Sequence, residues 1–188
     1  MSQFRIFILL ALAIFAGSCA RAPRPANTLV LVQDADPATL DPAKAYTTNN
    51  INLARVLYRG LVDYGAGADI VPAVARKWTI SPDGKTYTFH LRDDVRFHSG
   101  RRVVAQDFSY ALHRVMDPKT ASDGYTFYRS IQGSEEYSKA LEKIQELPTE
   151  EYGKRRDAMR IPGIETPDEN TIVFRLKQPD LTFLNWLA

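Results

Sequence analysis

Two stretches of this sequence share one pattern: "SPDGKTYTFHLR" at residues 81–92 and "TPDENTIVFRLK" at residues 166–177. Each opens on turn chemistry, at residues 81–85 and 166–170, in which proline fixes a backbone dihedral angle and Gly84 supplies positive φ in the first copy. Apolar and polar residues then alternate, which predicts a strand with one buried face. The apolar positions are Tyr87, Phe89 and Leu91, then Ile172, Phe174 and Leu176. The sequences that follow the two copies do not match. We therefore interpret them as one structural demand met twice, by two strands of one sheet, and not as a repeat.

Between the two stretches, apolar residues at helical spacing predict a helix in "AQDFSYALHRVMDP" (residues 105–118). Its expected buried face is Phe108, Ala111, Leu112 and Val115, and Asp117-Pro118 ends it. Residues 134–160 are charged and helical, with a break at Pro148, and predict a surface element with a narrow apolar stripe of Tyr137, Leu141 and Ile144. The basic cluster Lys154, Arg155, Arg156 and Arg160 could hold a phosphate. Its interleaved acidic residues favour a solvated helix face.

On the N-terminal side, "TLVLVQD" (residues 28–34) predicts a strand, and the prolines of "ADPATLDPAKAY" (residues 35–46) predict a loop. A helix is predicted within "TTNNINLARVLYRGLVDY" (residues 47–64), with N-cap candidates at residues 47–50. Because this helix is apolar on two faces, we expect it to be buried in the core. Gly60 is expected to let another segment approach closely.

The N-terminus has the pattern of an export signal. Arg5 precedes an apolar run at residues 6–16, which is shorter than the about 20 apolar residues that a membrane span needs. Small residues then lead to Cys19, the only cysteine of the chain, in a box that resembles the cleavage site of bacterial lipoproteins. We predict a lipoprotein-type signal peptide at residues 1–18, lipid attachment at Cys19, and an extended tether at residues 19–27. The alternative for Cys19 is an ordinary buried thiol.

Composition and motifs argue against several functions. The chain has 188 residues, of which 45% are hydrophobic and 24% charged, and a net charge of +2, so it is globular and lacks the basic field that gathers nucleic acid. The motifs GxxxxGK[ST], HExxH and GxSxG are absent, so no nucleotide, zinc-protease or serine-hydrolase site is indicated. The spacing of His90, His98 and His113 does not predict a metal site. Asp93 and Asp94 are neighbours at a strand end and point apart.

Six motifs in order carry a family resemblance: "LDPAKA", "NLARVLYRGLV", "VPAVARKW", "SPDGKTYTFHLRDDVRFHSG", "AQDFSYALHRVMDP" and "TPDENTIVFRLKQP". They resemble the N-terminal part of the extracellular solute-binding proteins of family 5, the oligopeptide- and dipeptide-binding components of ABC importers. The resemblance implies an α/β, periplasmic binding protein-like fold of type II, whose two lobes close on a ligand by hinge motion. It also implies a monomer that delivers peptides to ABC permease subunits without a cofactor or catalysis. The predicted signal and Cys19 place this protein in the periplasm or cell envelope, anchored by lipid.

The same resemblance divides the chain. It places the start of the lobe I core at residues 28–61, a lobe I subdomain at residues 62–179 and the truncated start of the next segment at residues 180–188. Family members continue much further, so we expect this chain to be a fragment with unpaired strand edges and exposed apolar surface. The second lobe, with the acidic residue that pairs with a peptide's amino group, would follow Ala188. Val104 and Arg59 depart from the family's common Thr and Glu.

For ligand contact we predict the approach to the first helix, at Tyr46, Thr48, Asn49 and Asn50, where backbone N–H groups can receive a carboxylate or carbonyl oxygen. The alternative is that these four residues only cap the helix. Trp78, Phe97 and Trp186 could line an apolar pocket, although core packing is the favoured interpretation. Cargo other than peptides remains open, because family members also carry nickel chelates, haem or opines. Two other functions remain open as well: a secreted lipoprotein enzyme, and a peptide sensor that signals to a receptor.

Overall fold

The computed structural model describes residues 25–188 of a chain that divides into two units, Met1–Asp34 and Ala35–Ala188. The predicted export signal and the lipid-attachment residue Cys19 lie outside the described residues. Within residues 25–34 the predicted strand is wrong, because the structure shows no regular secondary structure there. A strand exists only where a neighbour completes its hydrogen-bond ladder. Without one, the apolar side chains of this segment are exposed, Leu29 by 74% and Val32 by 92%.

The second unit mixes helices and antiparallel strands. In chain order its elements are α1 (Thr48–Leu57), β1 (Val62–Tyr64), β2 (Ile70–Pro72), β3 (Ala75–Ile80), β4 (Thr86–Leu91), α2 (Ala105–Met116), α3 (Ser134–Glu142), α4 (Thr149–Ala158), β5 (Ile164–Asp168) and β6 (Thr171–Arg175). Short 3₁₀ helices lie at Pro118–Thr120, Asp123–Tyr128 and Phe183–Leu187. Strands β1 and β2 form a hairpin of their own, and the other four form one antiparallel sheet in the order β3-β4-β6-β5.

The two strands with the shared sequence pattern are neighbours in that sheet, as predicted. Tyr87 of β4 lies opposite Phe174 of β6, and Phe89 lies opposite Ile172. These side chains are buried, and the rings of Phe89 and Phe174 meet edge to face with centroids 5.8 Å apart. Two matching faces thus form the centre of the core.

The two copies differ at their turns. In the first, Gly84 has φ of 68°, and the Ser81 N–H donates to the Thr86 carbonyl at 2.9 Å, as a tight turn requires. In the second, the predicted turn at residues 166–170 is wrong at its start, because β5 runs to Asp168 and leaves only residues 169–170 for the turn. Pro167 fits inside this edge strand because it lies at a register irregularity, where the ladder does not need its missing N–H.

Helix α2 packs against β5 and β6. Its buried residues are Ala105, Leu112 and Met116, whereas Ala111 is exposed, so the predicted face is rotated relative to the observed one. Val104 has no side-chain acceptor for the helix N-terminus. The Asp107 carboxylate compensates by accepting the Val104 backbone N–H at 2.9 Å.

The charged segment forms α3 and α4, with the break at Pro148 as predicted. Three cations of the basic cluster pair with acidic residues, as expected for a solvated face: Lys154 with Glu150, Arg155 with Glu151, and Arg156 with Asp157. Two side chains of the predicted apolar stripe, Tyr137 and Leu141, are buried in the core together with Tyr152 of α4. The interpretation as a surface element is therefore right only for the charged face of this segment.

Helix α1 begins and ends within the predicted stretch, but the prediction of a buried core helix is wrong. Asn50 is its only buried residue, and the apolar side chains of Ile51, Val56 and Leu57 are exposed. Polar contacts, described below, hold this helix instead of apolar packing. At Gly60 the expected close approach is confirmed, since a Cβ there would lie 2.4 Å from the Leu187 carbonyl oxygen. Within residues 25–188, no helix has the length and apolarity to cross a membrane.

Candidate functional site

The candidate site is the segment at residues 38–50, which leads into α1. Thr47 is the N-cap, with extended backbone angles, and its Oγ1 accepts the Asn50 N–H at 3.4 Å. The first turn of α1 contains no acidic residue, so the positive end of the helix dipole is not neutralised from within the helix. Such an end favours a carboxylate or carbonyl oxygen.

The structure separates the four predicted ligand contacts. Tyr46 and Thr48 are exposed and Asn49 is half-buried, so all three can be reached from solvent. Asn50 is only 4% exposed, and its Oδ1 accepts the Ala38 backbone N–H at 3.2 Å. Asn50 therefore ties the loop to the helix from inside, which leaves Tyr46, Thr48 and Asn49 on the accessible side.

Tyr46 belongs to a stack of three aromatic rings, here called the aromatic column: Tyr46, Phe127 and Trp186. The ring centroids of Tyr46 and Phe127 lie 6.3 Å apart, and those of Phe127 and Trp186 lie 4.1 Å apart. Polar contacts orient the far end, because Trp186 Nε1 donates to Thr182 Oγ1 at 3.2 Å and the Tyr128 hydroxyl donates to the Trp186 carbonyl at 2.7 Å. Burial raises the pKa of Tyr128 to about 12, so this hydroxyl remains a donor at neutral pH. The Tyr46 ring thus lies nearly parallel to the Phe127 ring, at an angle of 21°, and remains exposed to solvent.

The three large aromatics named from sequence have different environments. Trp78 packs against the core and stacks on Phe89 with centroids 6.2 Å apart, as the core interpretation predicted. Phe97 does not pack in the core: it is 42% exposed, and the Arg101 guanidinium lies over its ring. Trp186 lies in the aromatic column and is half-buried.

The loop before Tyr46 is held by side chains of other elements. The Tyr58 hydroxyl donates to the Leu40 carbonyl at 3.0 Å. Asp41 accepts two hydrogen bonds from the Arg114 guanidinium of α2, and the Nη1 to Oδ1 distance is 2.7 Å. The Arg114 guanidinium lowers the pKa of Asp41, which therefore stays ionised.

No metal site is found among the described residues. His113 is part of the scaffold: its Nδ1 lies 2.7 Å from the Ser109 carbonyl, and its Nε2 accepts the Ile161 N–H at 2.9 Å. Asp93 and Asp94 pair with different arginines, Arg102 and Arg92. The described residues thus offer ring surface, a helix end and hydroxyl and amide groups, which suit binding.

Similarity to known proteins indicates the family of the chain. The model of the bacterial extracellular solute-binding proteins, family 5, matches residues 69–188. The chain belongs to this family. Because the family is one of solute-binding proteins, the comparison supports binding over catalysis, and the α/β fold class of periplasmic binding proteins is confirmed, with this chain forming part of one lobe.

The periplasmic murein peptide-binding protein MppA of Escherichia coli is 33% identical over 81% of this chain and 26% of its own length. Its solved structure matches with a TM-score of 0.65 over 81% of this chain and 27% of that one. The periplasmic oligopeptide-binding protein OppA of Haemophilus influenzae is 31% identical over 80% of this chain and 26% of its length. Its complex with the peptide RPPGFSPFR matches with a TM-score of 0.65 over 80% of this chain and 27% of that one.

Heme-binding protein A of the same species is 31% identical over 84% of this chain and 27% of its own length. This chain spans about a quarter of the length of these relatives.

Two features of the site escaped the sequence analysis. Phe127 lies in "SDGYTFYRS", whose aromatic residues have no helical or strand periodicity that would assign them to a face. Asp41 and Arg114 are 73 positions apart, and nothing in either local sequence pairs them. The sequence therefore contained no signal for Phe127. For the pair of Asp41 and Arg114, the only signal was the position of Asp41 in the family motif "LDPAKA".

Proposed function

We propose that this chain is part of a substrate-binding protein that captures di- or oligopeptides outside the inner membrane and delivers them to the permease of an ABC importer. The observation that supports this most strongly is the family match, together with the two relatives named for peptide binding. The proposed protein acts as a monomer without cofactor or catalysis. Its lobe I core begins at residues 28–61, and residues 62–179 form a subdomain of that lobe.

The proposed ligand contacts are Tyr46, Thr48 and Asn49. The Tyr46 ring supplies a fixed apolar surface, and the end of α1 attracts a peptide carbonyl or carboxylate oxygen. Asn50 supports this surface from behind through its bond to Ala38. A partner lobe would close over the exposed side of these residues.

The test is a thermal-shift screen of the full-length protein against peptides of two to six residues, because a ligand that binds only the folded state raises the melting temperature. A rise confined to one length class supports peptide binding and gives the size of the cleft. Haem, nickel chelates and opines are screened in parallel. A rise with one of these and with no peptide would contradict the proposed cargo.

Export and anchoring are proposed from Cys19 and the preceding signal. Cells that express the wild-type protein should hold it in the membrane fraction, and growth with radiolabelled palmitate should label it. Cys19→Ala should abolish the label. A labelled Cys19→Ala protein, or an unlabelled wild-type protein, would contradict lipidation at this residue.

A further inference from the structure

The ion pair between Arg114 and Asp41 joins the loop at residues 35–47 to the helix α2. Arg114 is near the end of α2, whose buried residues fix it against the sheet. The two side chains are half-buried, with 37% exposure for Arg114 and 26% for Asp41. Since both guanidinium Nη atoms bond to the two carboxylate oxygens, the pair is bidentate, a geometry that restrains orientation as well as distance.

Asp41 also organises the turn that precedes Tyr46. Its Oδ1 accepts the Ala43 N–H at 3.1 Å, and its carbonyl accepts the Lys44 N–H at 3.0 Å. Its own N–H donates to Thr39 Oγ1 at 3.0 Å. One residue thus anchors the backbone on both sides of the turn. The bond from Arg114 fixes that residue in space.

Two further tethers of this segment are single hydrogen bonds between neutral groups, from Ala38 to Asn50 and from Tyr58 to Leu40. Charge-assisted hydrogen bonds are roughly twice as strong as neutral ones. The pair of Arg114 and Asp41 therefore restrains the loop more strongly than either of these two bonds.

We propose that Arg114 is a positioning residue: it holds Asp41, and through it residues 38–50, so that Tyr46 and Thr48 are already in place when ligand arrives. Its effect on binding rests on the function proposed above. A preordered segment loses less conformational entropy on binding, so affinity depends on a side chain that lies on another helix and is not among the proposed ligand contacts.

The test uses three variants of the full-length protein. Arg114→Gln removes the ion pair. Arg114→Lys keeps the positive charge but cannot form the two parallel hydrogen bonds of the guanidinium. The control is Arg175→Gln, which removes a similar ion pair with Glu165, where the Arg175 Nε to Glu165 Oε1 distance is 2.7 Å, on the sheet and outside the site. Hydrogen exchange is measured by mass spectrometry over the whole protein, with residues 38–50 compared with the rest. Affinity for alanine peptides of two to six residues is measured by calorimetry, well below the melting temperature.

We expect Arg114→Gln to speed exchange at residues 38–50 and nowhere else. Its affinity should fall about tenfold, because each flexible side chain that must be ordered on binding costs up to that factor. Arg114→Lys should be intermediate, and Arg175→Gln should match the wild type in both measurements.

Unchanged exchange at residues 38–50 would overturn the proposal. Faster exchange throughout the protein would overturn it as well, since it would indicate general destabilisation. If neither an alanine peptide nor any peptide of the thermal-shift screen binds the wild type, the proposed cargo is wrong, and the exchange data alone still decide whether Arg114 holds the loop.

Discussion

The sheet β3-β4-β6-β5 and the segment at residues 38–58 are held together by different forces. In the sheet, Phe89 and Phe174 are fully buried, and apolar burial dominates. In the segment, polar contacts from Arg114, Asn50 and Tyr58 hold the backbone, while apolar side chains of α1 are exposed. The fold thus depends on one region and the candidate site on the other. Substitutions should therefore separate stability from binding.

The largest effect on stability is expected from Phe89→Ala in the sheet. Removing a fully buried phenylalanine leaves a cavity and should lower the free energy of unfolding by about 3–5 kcal/mol. Denaturant unfolding of the full-length protein measures this. Ile80→Ala, at an exposed position of β3, is the matched control and should lose about 1 kcal/mol or less. Equal losses for the two variants would contradict the assignment of the core.

Gly60→Ala should have the next largest effect. The new Cβ would lie 2.4 Å from a backbone oxygen, so the chain must shift, at an expected loss of about 1–3 kcal/mol. Gly153→Ala is the control with the opposite sign. That glycine lies inside α4, and apart from its chain neighbours and the adjacent helix backbone no atom lies within 4 Å of the position that a Cβ would take. Alanine should therefore add about 0.5–1 kcal/mol. A melting temperature that rises for both variants would show that residues 60 and 187 are not in contact.

His113, on the helix α2 that packs against the sheet, makes the stability of the fold depend on pH. Burial lowers its pKa, and Arg160 adds to this, whereas its bond to the Ser109 carbonyl acts in the opposite direction. The unfolded state therefore binds a proton first as the pH falls below about 6.5. Stability should decrease from there until the lower folded pKa is reached, by about 1.4 kcal/mol for each pH unit in which only the unfolded state is protonated.

The measurement compares unfolding midpoints at pH 7.5 and 5.5 for the wild type and for His113→Gln. The variant should lose less stability between the two values, because glutamine does not titrate. Glu135 does not interfere, because its ordinary pKa of 4.5 and its folded pKa of about 2, lowered by Lys177 and Arg129, both lie below the two pH values compared. An identical pH dependence in the two proteins would refute the role of His113.

How well the sequence predicted each region follows from the range of the forces involved. The strands of Phe89 and Phe174 and the helix α2 were predictable, because their periodicity records a buried face within a few residues. The exposure of α1 and the missing strand at residues 28–34 were not, because both depend on partners distant in sequence. The aromatic column and the pair of Arg114 and Asp41 were also missed, since each joins residues far apart in the chain. Local patterns thus predicted the scaffold better than the surroundings of the site.

The smallest effect on stability is expected at Tyr46, where the effect on binding should be large. Tyr46→Ala removes one end of the aromatic column, and a stacked pair contributes about 0.5–1.5 kcal/mol, which its 51% exposure reduces further. The melting temperature should hardly change. Affinity for a peptide identified in the thermal-shift screen should fall about tenfold, because the ring is proposed to contact the ligand. Tyr46→Phe removes only the hydroxyl and keeps the stacked ring. A near wild-type affinity of this variant would show that the ring face, and not the hydroxyl, contacts the ligand. Unchanged affinity in Tyr46→Ala would remove this residue from the site and leave the end of α1, at Thr48 and Asn49, as the remaining proposed contact.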